Sequence, residues 1–262
     1  MPSRLLDMRA CAAPEFRTLY GAMLRLSLMQ QPVWFRPLLT RSRRLQGMTG
    51  YDHWSRAWEY PWAVLAADLG RAPLRLLDVG GGGSPFAPYL AGLGHEAHVA
   101  DPSLDQGRGY SYDKARTLAQ NSRTLTKRAL LGFAGIRSLW GLPKNGGAAQ
   151  LHYHSFAADQ LRFADGHFDR VFCLSVIEHI PRDLWPACMR EFARVLKPGG
   201  RLVITMDMET DEANERLYMR LIEATTLTLV GNPHYKVPID PAEAQRRHPR
   251  NWYETLGLVW TK

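Results

Sequence analysis

An α/β fold is predicted by the sequence: a doubly wound, mostly parallel sheet with helices on both faces. Three observations point to it. From residue 74 onward, short apolar runs of strand length alternate with stretches of helical periodicity, the pattern of βαβ units. The first run passes directly into four consecutive glycines, Gly80–Gly83. The second run ends on a carboxylate, Asp101. Right-handed crossovers then bring the strand C-termini to one edge, where open α/β sheets bind ligands.

Each element has its own signal. Over residues 14–30, Phe16, Leu19, Tyr20, Met23, Leu24, Leu26 and Leu28 form a helical stripe with Arg17 and Arg25 off it. Pro32 and Pro37 interrupt the next stretch, and 41–50 read as a polar, basic loop. Residues 51–69 are predicted helical, with a break or restart near Pro61. Leu74–Val79 is the first buried strand, Phe86–Leu93 the next helix and Glu96–Ala100 the second strand. Residues 103–150 separate the second strand from the third, far beyond an ordinary connection. They are read as an insert with helices of its own, most clearly at 114–131. Strands come next at 151–155, Arg170–Leu174 and Arg201–Met206, with a helix at 183–196 stopped by Lys197-Pro198-Gly199-Gly200. The C-terminal part opens on a helix at about 211–225 and closes on a strand, Leu256–Trp260. In domain terms, 1–73 form a helical N-terminal cap region. Residues 74–262 form the main domain, with the basic, lid-like insert at about 103–150.

Composition excludes several classes. Apolar residues at 45% and charged residues at 22% exclude a disordered chain. Cys11, Cys173 and Cys188 contain no CxxC pair, which excludes a disulfide framework and argues against structural zinc. No apolar run reaches the roughly 20 residues of a membrane span, and no continuous apolar stretch follows the N-terminal charges. A cytoplasmic protein with reduced thiols and no transmembrane segment is expected. The net charge of +8 is unevenly spread: +5 over 1–73 and +6 over 103–150, against −1 for 74–102 and 151–206 together. The excess belongs to segments flanking the strand-bearing core. That distribution points to an acidic small molecule or partner docking on these basic segments.

Four glycines after a strand let the backbone turn tightly and approach a ligand, and the next helix start offers unpaired N–H groups. Asp101 lies 18 residues past Gly83, about where open α/β nucleotide sites place a carboxylate on ribose hydroxyls. These residues carry a resemblance. Leu77-Asp78-Val79-Gly80-Gly81-Gly82-Gly83-Ser84 resembles motif I of class I S-adenosylmethionine-dependent methyltransferases, type 11-like, rather than the GxGxxG of dehydrogenases. Residues 161–171 (LRFADGHFDRV) resemble the family's LPFPDxSFDxV stretch, and 176–180 (VIEHI) resemble VLEHV. Residues 191–200 (EFARVLKPGG) resemble REIxRVLKPGG. The matches cover residues 74–206 in the family's order.

The resemblance implies a Rossmann-like sheet, S-adenosyl-L-methionine as cofactor, and roles position by position. Gly80, Gly81 and Gly82 would pass under the cofactor, with Asp78 beside its methionine part and Asp101 on the ribose. The residue near Ala157 usually supplies a carboxylate to the adenine amino group. Alanine cannot do this, so Asp159 takes the assignment. Leu174 and Ser175 would line the methionyl portion, and Arg56, from the aromatic segment before the first strand, would reach its carboxylate. Glu178 and His179 would face the reaction centre. Histidine accepts a proton near neutral pH, so His179 suits a general base for a hydroxyl acceptor; a carboxylate acceptor needs none. No ligand spacing calls for a metal, although Glu178, His179 and Asp207 would be the residues to converge on one.

The resulting expectation is methyl transfer to an O or N atom of a small or medium-sized, acidic molecule. Two alternatives stay open. One is an RNA methyltransferase using the basic segments, although no RNA-binding module is recognisable. The other is a catalytically silent scaffold, which the Ala157 departure favours and the intact Gly80–Gly83, Asp101 and Glu178 oppose. The oligomeric state is open. The C-terminal region is short for the family's final strand pair, so an edge strand is expected to be missing, displaced or supplied by a partner.

Overall fold

Period-two alternation of apolar side chains decides how the central strands sit. In the computed structural model, which describes residues 1–5, 9–29, 33–42, 55–82, 84–106, 150–209, 212–231 and 253–262, eight strands form one sheet. They are β1 (Arg4–Leu5), β2 (Arg75–Val79), β3 (Glu96–Ala100), β4 (Leu151–His154), β5 (Phe168–Leu174), β6 (Leu196–Glu209), β7 (Thr228–Leu229) and β8 (Tyr253–Thr261). The helices are α1 (Pro14–Met29), α2 (Arg36–Arg41), α3 (Arg56–Ala67), α4 (Phe86–Gly92), α5 (Trp185–Val195) and α6 (Glu212–Glu223). The sheet order is β1-β8-β6-β5-β2-β3-β4, with β7 also on β8. The five strands from β4 to β6 are mutually parallel, and β8 runs antiparallel to β6.

Neighbouring side chains on one strand enter opposite cores, as the pleat requires. Leu76, Phe172, Val203 and Val259 pack with α1, α3 and α4, among Phe16, Met23, Trp58, Trp62, Phe86 and Leu90. Leu77, Val171, Leu202 and Leu258 pack on the other face with α5 and α6, among Met189, Phe192, Tyr218 and Leu221. The doubly wound architecture is therefore as the sequence predicts. Most of the 103–150 insert, with its 114–131 helix, lies outside the described residues.

Two expectations are corrected. The break near Pro61 does not occur: α3 runs unbroken from Arg56 to Ala67 with Pro61 inside it. The proline removes one intrahelical hydrogen bond, but Trp58 and Trp62 on that helix are fully buried and stacked with centroids 5.1 Å apart, and this packing holds the helix through the proline. The strand after Lys197-Pro198-Gly199-Gly200 also starts earlier than predicted. The helix stops at Val195, and β6 includes the turn-like tetrad, whose Gly199 N–H donates to the Lys262 carbonyl at 2.9 Å.

Among the described residues, β8 pairs with β6 on one side and with two short strands on the other. The outer edge of β8 is covered by two-residue strands from distant parts of the chain: β1 pairs at Gly257 and Leu256, and β7 at Thr261 and Trp260. Between them the Ser3 hydroxyl accepts from the Val259 N–H at 2.9 Å, and the Ser3 N–H donates to the Val230 carbonyl at 2.9 Å. Backbone groups on a sheet edge need partners or charge, and here the extreme N-terminus provides them.

Gly257 marks the tightest contact between β8 and α3. A Cβ there would lie 2.5 Å from Trp62 Cη2, closer than side-chain carbons approach one another. Gly257→Ala should therefore destabilise the fold by about 1–3 kcal/mol through overpacking, read as a lower urea midpoint at unchanged m-value; an unchanged midpoint would show that α3 yields freely.

Candidate functional site

The C-terminal ends of β2, β3, β5 and β6 lie side by side, and the functional side chains arise from the turns that leave them. Gly80 closes the turn after β2 by donating its N–H to the Ala100 carbonyl at the end of β3, at 2.8 Å. Its φ is +74°, and a Cβ there would lie 2.5 Å from Val176 Cγ1. A Cβ on Gly81 would collide with the Asp78 carboxylate, and Gly82 has φ +47°. The glycines are thus fixed by left-handed backbone and by the carboxylate folded against them.

Asp78 is buried, and its Oδ2 has no hydrogen-bond partner among the described residues. Burial, with help from Asp101, raises its pKa to about 8 against the opposing pull of Arg56. Asp101, at the end of β3, is buried and accepts from the Ser103 N–H and hydroxyl, both on Oδ1, at 2.9 and 2.7 Å.

After β5 the chain turns at Ser175, whose φ is +48°, rare for a residue with a Cβ. Its N–H donates to the carbonyl and hydroxyl oxygens of Thr205 on β6, at 2.9 and 3.1 Å. Its own hydroxyl donates to Glu59 Oε1 at 2.9 Å. Glu59 has no solvent exposure and is ion-paired with Arg56, one helical turn earlier on α3. Burial works against the Arg56 charge, but Glu59, Tyr60 and Asp207 overcome it and hold its pKa above the usual value. The guanidinium lies 5.6 Å from the centroid of the Tyr60 ring.

The next turn, Ile177–His179, carries Glu178. Its Oε1 accepts from the Asp207 N–H at 3.0 Å, while its Oε2 is buried without a partner among the described residues. Burial and the neighbouring Asp207 raise its pKa to about 8. Asp207 is raised too, by burial and Glu59, although it accepts from the Thr255 hydroxyl at 2.7 Å. Five carboxylates (Glu59, Asp78, Asp101, Glu178 and Asp207) therefore gather at this edge, with Arg56 as a cation among them. Such a cluster attracts a cation and can hold a proton near neutrality.

The structure brings together Asp78, Gly80, Gly81, Gly82, Asp101, Ser175, Glu178 and Arg56. Leu174 reaches the edge, but its side chain is packed in the core beneath α3. His179 is exposed beside Glu178. Asp159 sits half-buried in the turn after β4 and acts on Cys188 of α5, whose thiol is raised to about 12 by burial first and by Asp159 second. Sequence reasoning missed Glu59 and Tyr60, and treated Asp207 only as a metal candidate. A signal was present: Arg56 and Glu59 form an i,i+3 pair inside an otherwise aromatic and aliphatic helix.

A family model described as a methyltransferase domain matches residues 51–238. A ubiquinone biosynthesis O-methyltransferase from Xanthomonas oryzae pv. oryzae is 29% identical over 180 residues, 68% of this chain and 62% of its own length. The counterpart of the same name from Xanthomonas axonopodis pv. citri is 27% identical over 195 residues, 74% of this chain and 66% of its own. The chain thus spans under two thirds of the length of the first of these relatives. Among solved structures, the cyclase SpnF superposes with a TM-score of 0.50 at 16% identity, covering 89% of this chain and 96% of that one. That likeness concerns the fold alone.

The residues at the strand edge fit the cofactor this family uses. A cation bearing ammonium and hydroxyl donors matches the unpartnered Asp78 oxygen and the surrounding carboxylates, and the glycine turn leaves no side chain in its way. With a family model covering most of its sequence, the chain belongs to the class I S-adenosylmethionine-dependent methyltransferases, with S-adenosyl-L-methionine as its cofactor.

Proposed function

We propose that this enzyme methylates an oxygen atom of a small molecule, with Glu178 as the proton acceptor. The observation that supports this most is the Glu178 carboxyl, held near the reaction edge with a pKa of about 8 and one unpartnered oxygen. The O-methyltransferase names of the curated relatives agree with an oxygen acceptor. When bound, S-adenosylmethionine supplies an electrophilic methyl group on a cationic sulfonium. The chain positions the acceptor, excludes water and removes a proton.

In this reading the Gly80–Gly82 turn and Asp78 hold the methionyl part, Asp101 holds the ribose hydroxyls through its second oxygen, and Asp159 reaches the adenine amino group. Arg56 holds the methionyl carboxylate, and Glu59 with Ser175 fixes Arg56 in place. Leu174 contributes through its backbone. His179, exposed next to Glu178, lies on the acceptor side. The acidic character of the acceptor rests on the charge of 103–150, most of which lies outside the described residues.

Titration calorimetry with S-adenosylmethionine and its demethylated product tests the cofactor assignments. Asp101→Ala should weaken cofactor binding roughly tenfold or more, because a charged hydrogen bond is worth about 1.5–3 kcal/mol; affinity within twofold would remove Asp101 from the site. For Asp78, a cationic ligand favours the ionised carboxyl, while the free protein keeps it protonated below about pH 8. Cofactor affinity should therefore rise with pH, by up to about tenfold per unit below that pKa, and Asp78→Asn should flatten the rise. The same variant reports on stability. Between the ordinary carboxyl pKa and about 8, the folded state holds a proton that the unfolded state has lost. That contribution to stability disappears as pH rises through about 8, so at pH 9 Asp78→Asn should melt higher than the parent protein.

For the chemistry, single-turnover rates should climb with pH while Glu178 ionises. Glu178→Gln should abolish the climb and lower kcat roughly 10²–10⁴-fold. A loss of that size in His179→Ala, with Glu178→Gln unaffected, would transfer the role to the histidine.

A further inference from the structure

On the β3–β4 side of the sheet lies a second cluster of ligating side chains. His98 of β3 is buried, and its register partner on β4 is His152. Their rings stack with centroids 4.6 Å apart. Glu96, two residues before His98 on the same face of β3, places Oε1 3.0 Å from His98 Nε2. Its other oxygen accepts from Arg75 Nε at 2.9 Å. His154, two residues beyond His152, places Nε2 2.9 Å from His98 Nδ1 with its ring nearly parallel to that of His98. Phe163 and Phe168 close the inner side edge-on, at 5.8 and 5.2 Å.

One ligand atom from each of Glu96, His98 and His152 lies within 4.8 Å of the other two. We propose that these three residues form a binding site for a zinc-class divalent metal ion that clamps β3 to β4, with His154 holding the second ring nitrogen of His98.

The chemistry of the set selects the ion class. Two imidazoles and one carboxylate suit zinc, cobalt(II), nickel or copper(II) rather than calcium or magnesium, which take oxygen ligands. Three protein ligands leave a fourth position for water. Zinc bonds of about 2.0–2.2 Å place neighbouring tetrahedral ligand atoms roughly 3.4 Å apart. Glu96 and His152, both partly open to solvent, supply the remaining movement and the route of entry. The surroundings already provide what metal-binding histidines need around them. With the metal on Nε2, His98 Nδ1–H donates to His154, and Arg75 orients the Glu96 carboxylate.

The clamp would act where it is most useful to the fold. Among the described residues β4 is a four-residue strand at the end of the sheet, paired with β3. A metal bridging the two strands ties β4 to β3.

The test uses untagged full-length protein stripped with a chelator. Zinc chloride titrated by calorimetry should bind as one tight equivalent and raise Tm by several degrees, and cobalt(II) should give the intense visible bands of a four-coordinate site. His152→Ala, at a partly exposed edge position that the core does not need, should remove the equivalent and the Tm shift. Glu96→Gln should weaken binding at least tenfold, and His154→Ala by about 10–100-fold through the ring it orients. Absence of a saturable equivalent in the parent protein, or unchanged zinc affinity in His152→Ala with normal melting, would overturn the site.

Discussion

A carboxylate with no access to water sets the arrangement of this protein's binding edge. Glu59 is fully buried among the aromatic side chains of α3, and a charge in that position must be paired and hydrogen-bonded. Arg56 supplies the pair and the Ser175 hydroxyl the hydrogen bond. To deliver that hydroxyl, Ser175 takes a left-handed backbone conformation, which Thr205 of β6 holds through two hydrogen bonds from the Ser175 N–H. One buried charge thus fixes α3 over the ends of β5 and β6. Removing a single partner of such a charge typically costs about 3–5 kcal/mol, so the geometry around Arg56 is strongly held. Arg56 is in turn where its charge reaches both Asp78 and Asp207.

The same edge keeps buried carboxylates that the fold itself leaves unsatisfied. Asp78 and Glu178 each keep a buried oxygen without a partner among the described residues, and each carboxyl is displaced upward to about 8. A sequence selected for stability alone would fill these positions with neutral side chains. Under the proposed function, a cationic ligand at this edge would lower the Asp78 pKa, and Glu178 would take up the proton of the acceptor.

A second set of bonds explains why motifs far apart in the sequence occur together. Arg194, in the segment that ends α5, donates to the carbonyls of Phe163 and Leu161 and to Asp165, while bonding Glu191 of its own helix. Glu191 in turn accepts from the Leu161 N–H at 2.8 Å. The loop before β5 is thus fastened to the helix before β6. The 161–171 and 191–200 motifs were legible as strings, but their shared purpose is this network. The sheet edges were not legible in the same way. β1 and β7 are two residues each, too short to show periodicity, and they form only because β8 offers unpaired backbone groups. The histidine cluster escaped notice for a related reason: Glu96 and His98 are local, but His152 joins them only through the β3–β4 register.

By itself the sequence determined the order of strands and helices, the two buried faces of the sheet, the glycine turn, and the acidic residues at the ends of β2 and β3. Those features come from local periodicity, the steric freedom of glycine and the chain direction of βαβ units, all of which act over a few residues. Only the tertiary structure decided that α3 survives its proline, that Glu59 and Asp207 join the binding edge, that Glu178 rather than His179 is the sheltered group, and that the N-terminus caps β8. Each of these depends on burial and on neighbours distant in sequence, and desolvation is a property of the assembled fold that no short stretch of chain possesses.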